Sequence, residues 1–128
     1  MKLRIKDNSI RFRLLRSEVR ALAEQGSIVA HTLLSASDPA GRLSYSIEHG
    51  AMYTVLRAEQ KGFSIHITAP TEEIVGWAND DGKVGLYAEQ TVYGDQILQI
   101  AIEKDFACID RGDADNVDTF DYPSVKTC

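Results

Sequence analysis

The sequence has no run of apolar residues as long as the roughly 18 that a membrane-spanning helix requires, so it predicts no such helix. Its first basic residues are not followed by an apolar stretch, which argues against a secretory signal. Only two cysteines are present, Cys108 and Cys128. We therefore expect a cytoplasmic protein in which both thiols are reduced, although the two could pair in a secreted form whose signal had been removed.

Motifs that would indicate a familiar catalytic or metal site are also missing. The sequence contains no G-x-S-x-G, no glycine-rich phosphate loop and no H-E-x-x-H. The histidines His31, His49 and His66 have no ligand spacing with each other or with the cysteines. The acidic stretch from Asp113 to Asp118 does not match a calcium-binding loop, because its fifth position is Val117 and its sixth, where the loop needs glycine, is Asp118. We therefore predict no metal ion and no cofactor.

Length and composition are those of one soluble domain that spans residues 1–128, with 44% hydrophobic and 26% charged residues. The net charge of -5 argues against nucleic acid or an anionic membrane surface as a partner. Residues 1–20 carry seven Lys/Arg and two Asp/Glu, whereas residues 103–128 carry seven Asp/Glu and three Lys/Arg. The basic and acidic stretches are thus candidate partners within one molecule. Nothing in the sequence indicates an oligomeric state.

Two basic strands at the start of the sequence provide the sharpest functional signal. The segments 1–6 and 9–14 both alternate apolar and basic side chains. A two-residue turn between them would form a hairpin that places Arg4 directly opposite Arg11. One face of this hairpin, called here the basic face, then carries Lys2, Arg4, Lys6, Arg11 and Arg13.

Like charges that lie directly opposite each other destabilise a hairpin, so the basic face predicts a source of negative charge nearby. Arginine is suited to bidentate capture of carboxylate or phosphate. Our first interpretation is a non-catalytic module that binds an anionic small molecule or an acidic partner segment. The candidate ligand-binding residues are Arg4, Arg11 and Arg13, with Lys2 and Lys6 at the rim, and His66 from a later strand.

Other interpretations of the basic face stay open. It could be a solvated surface, or the acidic tail from Asp105 to Asp121 could lie across it and neutralise it in a purely structural or interaction domain. An enzyme that acts on phosphate anhydrides, by analogy with triphosphate-tunnel enzymes, would need metal-binding carboxylates facing the basic residues. The candidates for that role are Glu48, Glu89, Glu103 and Asp105. The acidic motif that opens those enzymes is absent here, because residues 2, 4 and 6 are basic.

Lys104 lies in the apolar file of a predicted strand, together with Leu98, Ile100 and Ile102. A buried lysine needs a partner or a lowered pKa, and either can mark a functional group. The interpretation we favour is a bulge or strand end at Glu103 that lets the ammonium group reach water.

The pattern of alternation and turns predicts an α+β domain built on an antiparallel sheet of about seven or eight strands, which could curl into a barrel, with two short helices. The first helix is predicted over residues 17–25, with Ser17 as its N-cap and Gly26 as its C-terminal stop. The second is predicted to begin with Thr71 as its cap. The internal strands are predicted at 27–34, 42–48, 51–58 and 63–68.

The last two strands are predicted at 84–91 and 97–106. A loop with an odd number of residues between them sets Leu86 opposite Ile102, which keeps the apolar files of both strands on one face. Residues 107–128 are acidic and irregular, and we expect them to form a tail along the surface.

Two stretches of the sequence resemble a family of small bacterial proteins that is known only as a domain of unknown function. The stretches are Ile5-Lys6-Asp7-Asn8-Ser9-Ile10-Arg11 and Ile102-Glu103-Lys104-Asp105-Phe106 with Cys108. The resemblance covers most of the chain, including the acidic tail and Cys128. It departs at Phe120-Asp121-Tyr122-Pro123, where the family ending resembles Phe-Pro-Asn-Pro. The resemblance implies a small cytoplasmic bacterial protein and carries no activity with it.

Overall fold

The computed structural model describes residues 1–107 and 117–121. These residues form eight strands, two α-helices and a short 3₁₀ turn. In chain order the elements are β1 (Lys2–Lys6), β2 (Ser9–Leu14), α1 (Arg16–Gln25), β3 (Ser27–Leu33), β4 (Arg42–Gly50), β5 (Arg57–Lys61), β6 (Ser64–Pro70), α2 (Thr71–Ala78), β7 (Gly85–Thr91), the 3₁₀ turn (Tyr93–Asp95) and β8 (Ile97–Lys104).

The strands form two four-stranded sheets that do not close into a barrel. Sheet A has the order β1-β2-β8-β7, and sheet B has the order β3-β4-β6-β5. The central pair of each sheet, β2 with β8 and β4 with β6, is parallel, whereas the outer pairs are antiparallel. The expectation of a single sheet was therefore wrong, whereas the α+β class, the two helices, about eight strands and the antiparallel pairing of the outer strands are confirmed. The parallel pairs join strands that are distant in sequence, and local alternation carries no signal for such pairing.

Both hairpins of sheet A have the register that the alternation predicts. In the first hairpin Arg4 pairs with Arg11, as expected for a two-residue turn. In the second, Leu86 pairs with Ile102, because the loop between β7 and β8 has an odd number of residues. Each pairing follows from keeping apolar side chains on the buried face, since a slip of one residue would turn them towards water.

The inward faces of the two sheets and one side of each helix share a single hydrophobic core. Phe12 of β2 packs against Tyr45 of β4, with ring centroids 6.3 Å apart. Leu22 of α1 and Trp77 of α2 are fully buried in the same cluster. Sheet A therefore has one apolar face against the core and one face towards solvent, and the solvent face carries the basic side chains.

The caps of the helices differ from the sequence-based expectation. The N-cap of α1 is Leu15, and Ser17 lies inside the helix. Glu18 accepts a hydrogen bond from the Leu15 backbone N–H at 2.8 Å, which satisfies one of the free donors at this end. Gly26 ends the helix as predicted, with a positive φ of 92° that favours glycine. The second helix has Pro70, rather than Thr71, at its N-cap.

Candidate functional site

The basic face lies on the outer side of sheet A and extends over all four strands. The registers of the three strand pairs define transverse rows of side chains on this side. The first row is Lys6, Ser9, Gln99 and Glu89; the second is Arg4, Arg11, Ala101 and Tyr87; the third is Lys2, Arg13, Glu103 and Gly85. The hairpin supplies the cations of each row, and the neighbouring strands β8 and β7 supply small, polar or acidic side chains.

A groove with a volume of about 640 Å³ runs over the first two of these rows. Its lining residues are Arg4, Lys6, Ser9, Ile10, Arg11, Tyr87, Ala88, Glu89, Gln99, Ile100 and Ala101. Small side chains at Ser9 and Ala101 lie between longer ones on β1 and β7. The concavity therefore arises from the order of side-chain sizes along each row. Its volume is in the range of small-molecule binding sites.

Glu103 neutralises one of the five cations of the basic face. Its Oε1 atom lies 3.0 Å from the Nε atom of Arg11, and its Oε2 atom accepts a hydrogen bond from the Tyr87 hydroxyl at 2.7 Å. The Glu103 side chain is only 15% exposed, so its charge is held in a partly desolvated position. Arg11 is thus part of a network within the protein and is less able to serve a ligand.

The hydrogen bond between Tyr87 and Glu103 requires a glycine at position 85, because the Tyr87 hydroxyl occupies the space that a side chain there would take. A Cβ atom at position 85 would lie 2.7 Å from the backbone oxygen of Ile102 and 2.9 Å from the Tyr87 hydroxyl. The hydroxyl can therefore reach Glu103 only over a residue without a side chain.

A second carboxylate, that of Asp105, neutralises Lys2. The Lys2 ammonium lies 3.1 Å from the Asp105 carboxylate, which is almost fully buried just after β8. This contact lies outside the groove.

The remaining cations of the basic face are Arg4, Lys6 and Arg13. Their side chains form no hydrogen bond or ion pair with any residue in 1–107 or 117–121. Arg4 and Lys6 line the groove, whereas Arg13 does not. Within the described part of the chain, the groove thus has two positive charges without an anionic partner on its β1 side, next to Arg11, which is already paired.

His66 lies in sheet B and does not line the groove. Its Nδ1 atom is 2.6 Å from the Ser46 hydroxyl, and its Nε2 atom is 3.7 Å from Glu48. The other oxygen of Glu48 accepts a hydrogen bond from the Tyr53 hydroxyl at 2.7 Å, and this bond raises the pKa of Tyr53 above its ordinary value. The structure therefore places His66 on the outer face of the other sheet, apart from the arginines with which the sequence grouped it.

The four carboxylates that are candidate metal ligands for an anhydride hydrolase lie in different parts of the structure. Glu89 and Glu103 lie on the outer face of sheet A, Glu48 lies in sheet B, and Asp105 contacts Lys2. In the described part of the chain, no group of three or more His, Cys, Asp or Glu side chains is arranged to hold a metal ion.

Lys104 is buried at the end of β8, with 2% of its surface exposed. Its ammonium donates a hydrogen bond to the Asp80 backbone oxygen at 2.6 Å and lies 5.7 Å and 5.4 Å from the ring centroids of Trp77 and Phe120. Burial lowers the pKa of Lys104 below its ordinary value. The expectation that the ammonium reaches water at a strand end was therefore wrong, because Phe120, from a distant part of the sequence, covers it.

The described part of the acidic tail contacts α1 and the core. The Asp118 carboxylate accepts hydrogen bonds from the Ser17 backbone N–H, at 3.0 Å, and from the Ser17 hydroxyl. Phe120 packs against Phe106, with ring centroids 5.9 Å apart, and lies under the guanidinium of Arg16. These contacts stabilise the first turn of α1. Asp110, Asp113, Asp115, Cys108 and Cys128 lie outside the described residues, so neither cysteine pairing nor contact of this acidic segment with the hairpin is tested.

Sequence reasoning missed the β7 side of the groove. Alternation puts Tyr87 and Glu89 on the polar face of their strand, but only the parallel pairing of β2 with β8 brings that face to the same groove as Arg4 and Lys6. Glu89 was considered solely as a possible metal ligand. The signal available in the sequence was that Tyr87 and Glu89 lie on the same polar face as Glu103 once β7 and β8 pair. Glu103 in turn lies opposite Arg13 when the sheet is assembled.

Comparison with known proteins adds a family but no activity. No α-helix in the described residues is long and apolar enough to cross a membrane. No curated protein and no solved structure matches the chain significantly. The model of a family of unknown function, DUF7009, matches residues 1–124. The match covers nearly the whole chain and agrees with the resemblance of its two motifs, so the protein belongs to this family of unknown function.

Proposed function

We propose that the protein binds a small anionic ligand in the groove of sheet A, with Arg4 and Lys6 as the principal binding residues. The observation that carries this proposal is a concave site with two cations that have no anionic partner among residues 1–107 and 117–121. Arg11 already has Glu103 as a partner. We therefore expect it to contribute to the positive potential of the groove more than to direct contact with the ligand. Arg4 can offer a carboxylate or phosphate two parallel N–H donors, and Lys6 adds a point charge.

The repulsion within the basic face supports the same conclusion. Glu103 offsets the charge of Arg11, which lies directly opposite Arg4. Among the described residues no carboxylate offsets the like charges of Arg4 and Lys6, which lie on the same face of β1 and repel each other. An anion between the β1 side chains and the groove floor would offset that repulsion. Binding would therefore stabilise the folded protein by more than the contact alone provides.

The experiment is thermal unfolding against phosphate, pyrophosphate, triphosphate, nucleotides and dicarboxylates, each with and without magnesium. A ligand at a hundred times its dissociation constant stabilises by about 2.7 kcal/mol, a shift of several degrees for a domain of this size. We expect a selective shift that the Arg4→Gln/Lys6→Gln double variant loses. The matched control is Arg42→Gln/Lys83→Gln, which removes the same charges from exposed positions outside the groove.

The proposal would be contradicted if no anion raised the unfolding temperature, or if the Arg4→Gln/Lys6→Gln double variant showed the same rise as the wild type. The magnesium arm addresses the remaining alternative of an anhydride hydrolase. Release of phosphate from triphosphate that requires magnesium, and that is lost with Glu89→Gln or Glu103→Gln, would favour that enzyme over a binding module.

A further inference from the structure

The charges of the groove are separated by sign across the sheet. In the first transverse row, Lys6 on β1 and Glu89 on β7 lie at opposite ends, with Ser9 and Gln99 between them. Three strand spacings put the two end backbones about 14 Å apart. Arg4, in the adjacent row, strengthens the positive end. Along this row the groove therefore has a positive wall and a negative wall, and its floor, formed by Ser9 and Gln99, is uncharged. The paired Arg11 belongs to the second row.

The negative wall is as uncompensated as the positive one. Glu89 is exposed and lines the groove, and its carboxylate has no hydrogen bond or ion pair with another residue that the structure describes. At this separation, solvent and salt screen most of the attraction between Lys6 and Glu89. An anion that filled the whole groove would meet repulsion at its β7 end. A ligand that carried a cation at that end would gain a partner there.

The floor of the groove offers neutral hydrogen-bonding groups along the same line. The Ser9 hydroxyl donates to the Lys6 backbone oxygen at 2.6 Å, which leaves its lone pairs free to accept. The Gln99 side-chain amide has no partner within the described chain, and it can both donate and accept. A ligand that lies along the row thus passes a hydroxyl and an amide between its two charged ends.

Building on the proposed function, we infer that the ligand is elongated and dipolar. Its carboxylate or phosphate contacts Arg4 and Lys6, and its ammonium group contacts Glu89. A short peptide with free termini has this chemistry, because its amide groups match the neutral floor and its ends carry opposite charges. Glu89 then determines specificity, and Arg4 and Lys6 provide the general attraction for anions.

Three tripeptide probes of equal backbone length separate these contributions. Triglycine carries both charges, N-acetyltriglycine keeps only the carboxylate, and triglycinamide keeps only the ammonium. Affinities are measured by amide NMR titration of the whole protein. We expect triglycine to bind about 1.4- to 5-fold more tightly than N-acetyltriglycine, since an exposed ion pair contributes about 0.2–1 kcal/mol. Triglycinamide should bind most weakly.

The variant Glu89→Gln should remove the preference for triglycine while leaving the affinity for N-acetyltriglycine unchanged. The control variant is Glu24→Gln, which changes the net charge equally from an exposed position on α1. Both variants alter exposed side chains and should fold like the wild type. A thermal unfolding scan of each variant checks this. Retention of the preference in Glu89→Gln would overturn the inference.

The remaining outcomes distinguish failure of the inference from failure of the proposed function. Equal affinity for triglycine and N-acetyltriglycine would overturn the dipolar ligand and leave the anion site intact. The same conclusion would follow if no tripeptide bound while inorganic anions still bound in a way that depends on Arg4 and Lys6. No binding of tripeptides or of inorganic anions overturns both.

Discussion

Lys104 is a buried residue whose ammonium group has partners inside the protein. The ammonium group has one hydrogen bond to a backbone oxygen and two aromatic rings within cation–π distance. Burial lowers its pKa, and the charge of Arg16 acts in the same direction. The carboxylates of Asp80 and Asp81 oppose this shift. The effect of burial on the pKa of Lys104 exceeds the opposing effect of the two carboxylates. The stability of the folded state therefore depends on whether Lys104 is protonated.

The lowered pKa of Lys104 predicts that stability rises with pH from that lowered value up to the ordinary value of 10.5. Between the lowered pKa and 10.5, the ordinary value, the unfolded chain binds a proton at Lys104 and the folded chain does not. The free energy of unfolding therefore increases with pH through that window. We expect Lys104→Met to remove this rise and to be at least as stable as the wild type at neutral pH. Urea unfolding over a pH series measures both.

Tyr53 provides the control, because its contribution has the opposite sign. Its hydrogen bond to Glu48 raises the pKa of Tyr53 above 10.0, so the unfolded chain loses this proton first and stability falls as pH rises further. Tyr53→Phe should remove that fall and retain the rise due to Lys104. An equally steep rise in Lys104→Met would show that another group causes it.

The outcome at single residues shows which signals a sequence contains. The pairing of Arg4 with Arg11 was predictable, because alternation and a two-residue turn fix it locally. The burial of Lys104 was available as one interpretation, because the residue lies in the apolar file of β8, but the contact of its ammonium group with Phe120, which lies beyond the strand, was not predictable. Glu89 was predictable as a surface residue but not as the opposite wall of a groove.

At the level of elements, helix α1 depends on a segment that is far away in sequence. Residues 117–121 supply both a capping carboxylate, from Asp118, and a buried ring, from Phe120. The predicted N-cap, Ser17, was wrong for this reason. Its backbone N–H and hydroxyl are donors to Asp118, so the acceptor that a helix start needs comes from another part of the chain.

Two substitutions test whether residues 117–121 are a structural part of the domain. Asp118→Ala should lower the free energy of unfolding by about 1 kcal/mol, as the loss of a capping acceptor does. Phe120→Ala should lower it by about 3–5 kcal/mol through the cavity that it leaves. Denaturant unfolding measures both. Val117→Ala is the control, because this side chain is 69% exposed and its loss should change stability by less than about 0.5 kcal/mol. An Asp118→Ala variant as stable as the control would contradict the capping role.

At the scale of the whole molecule, a glutamine side chain joins the two sheets where their edges meet. The Gln90 amide of β7 accepts a hydrogen bond from the Ala58 backbone N–H of β5 at 2.8 Å and donates one to its carbonyl at 3.0 Å. The side chain thus takes the place of a neighbouring strand at one position of the β5 edge. This contact satisfies an edge that would otherwise present unpaired groups.

The variant Gln90→Glu tests this connection with little change in shape. The carboxylate can still accept from Ala58 N–H, but it cannot donate to the Ala58 carbonyl and is repelled by it. We expect a loss of about 1–3 kcal/mol in the free energy of unfolding and faster hydrogen exchange at the Ala58 amide. Gln96→Glu, the same change in an exposed loop, should be nearly neutral. Equal effects of the two variants would mean that the sheets do not depend on this contact.

The division into two sheets is the part of the fold that sequence patterns could not supply. Each hairpin, β1–β2 and β7–β8, is encoded by its own alternation and turn. Their side-by-side placement depends on the parallel pairing of β2 with β8, which joins segments about ninety residues apart. Such pairing follows from burying both hairpins on one core. The groove has the same origin, so it could be predicted only in its β1–β2 half.

The order of strands in sheet A has a consequence for synthesis of the protein. Sheet B is built from the continuous stretch 27–70, whereas sheet A combines residues 2–14 with residues 85–104. A nascent chain emerges from its first residue onward, so sheet B can form while the like-charged hairpin still lacks β8 beside it. Arg11 gains its carboxylate partner, and the groove gains its second wall, only after Glu103 has left the ribosome. An incomplete chain that stops before β8 therefore exposes the cations of the basic face without Glu103 and without the complete groove.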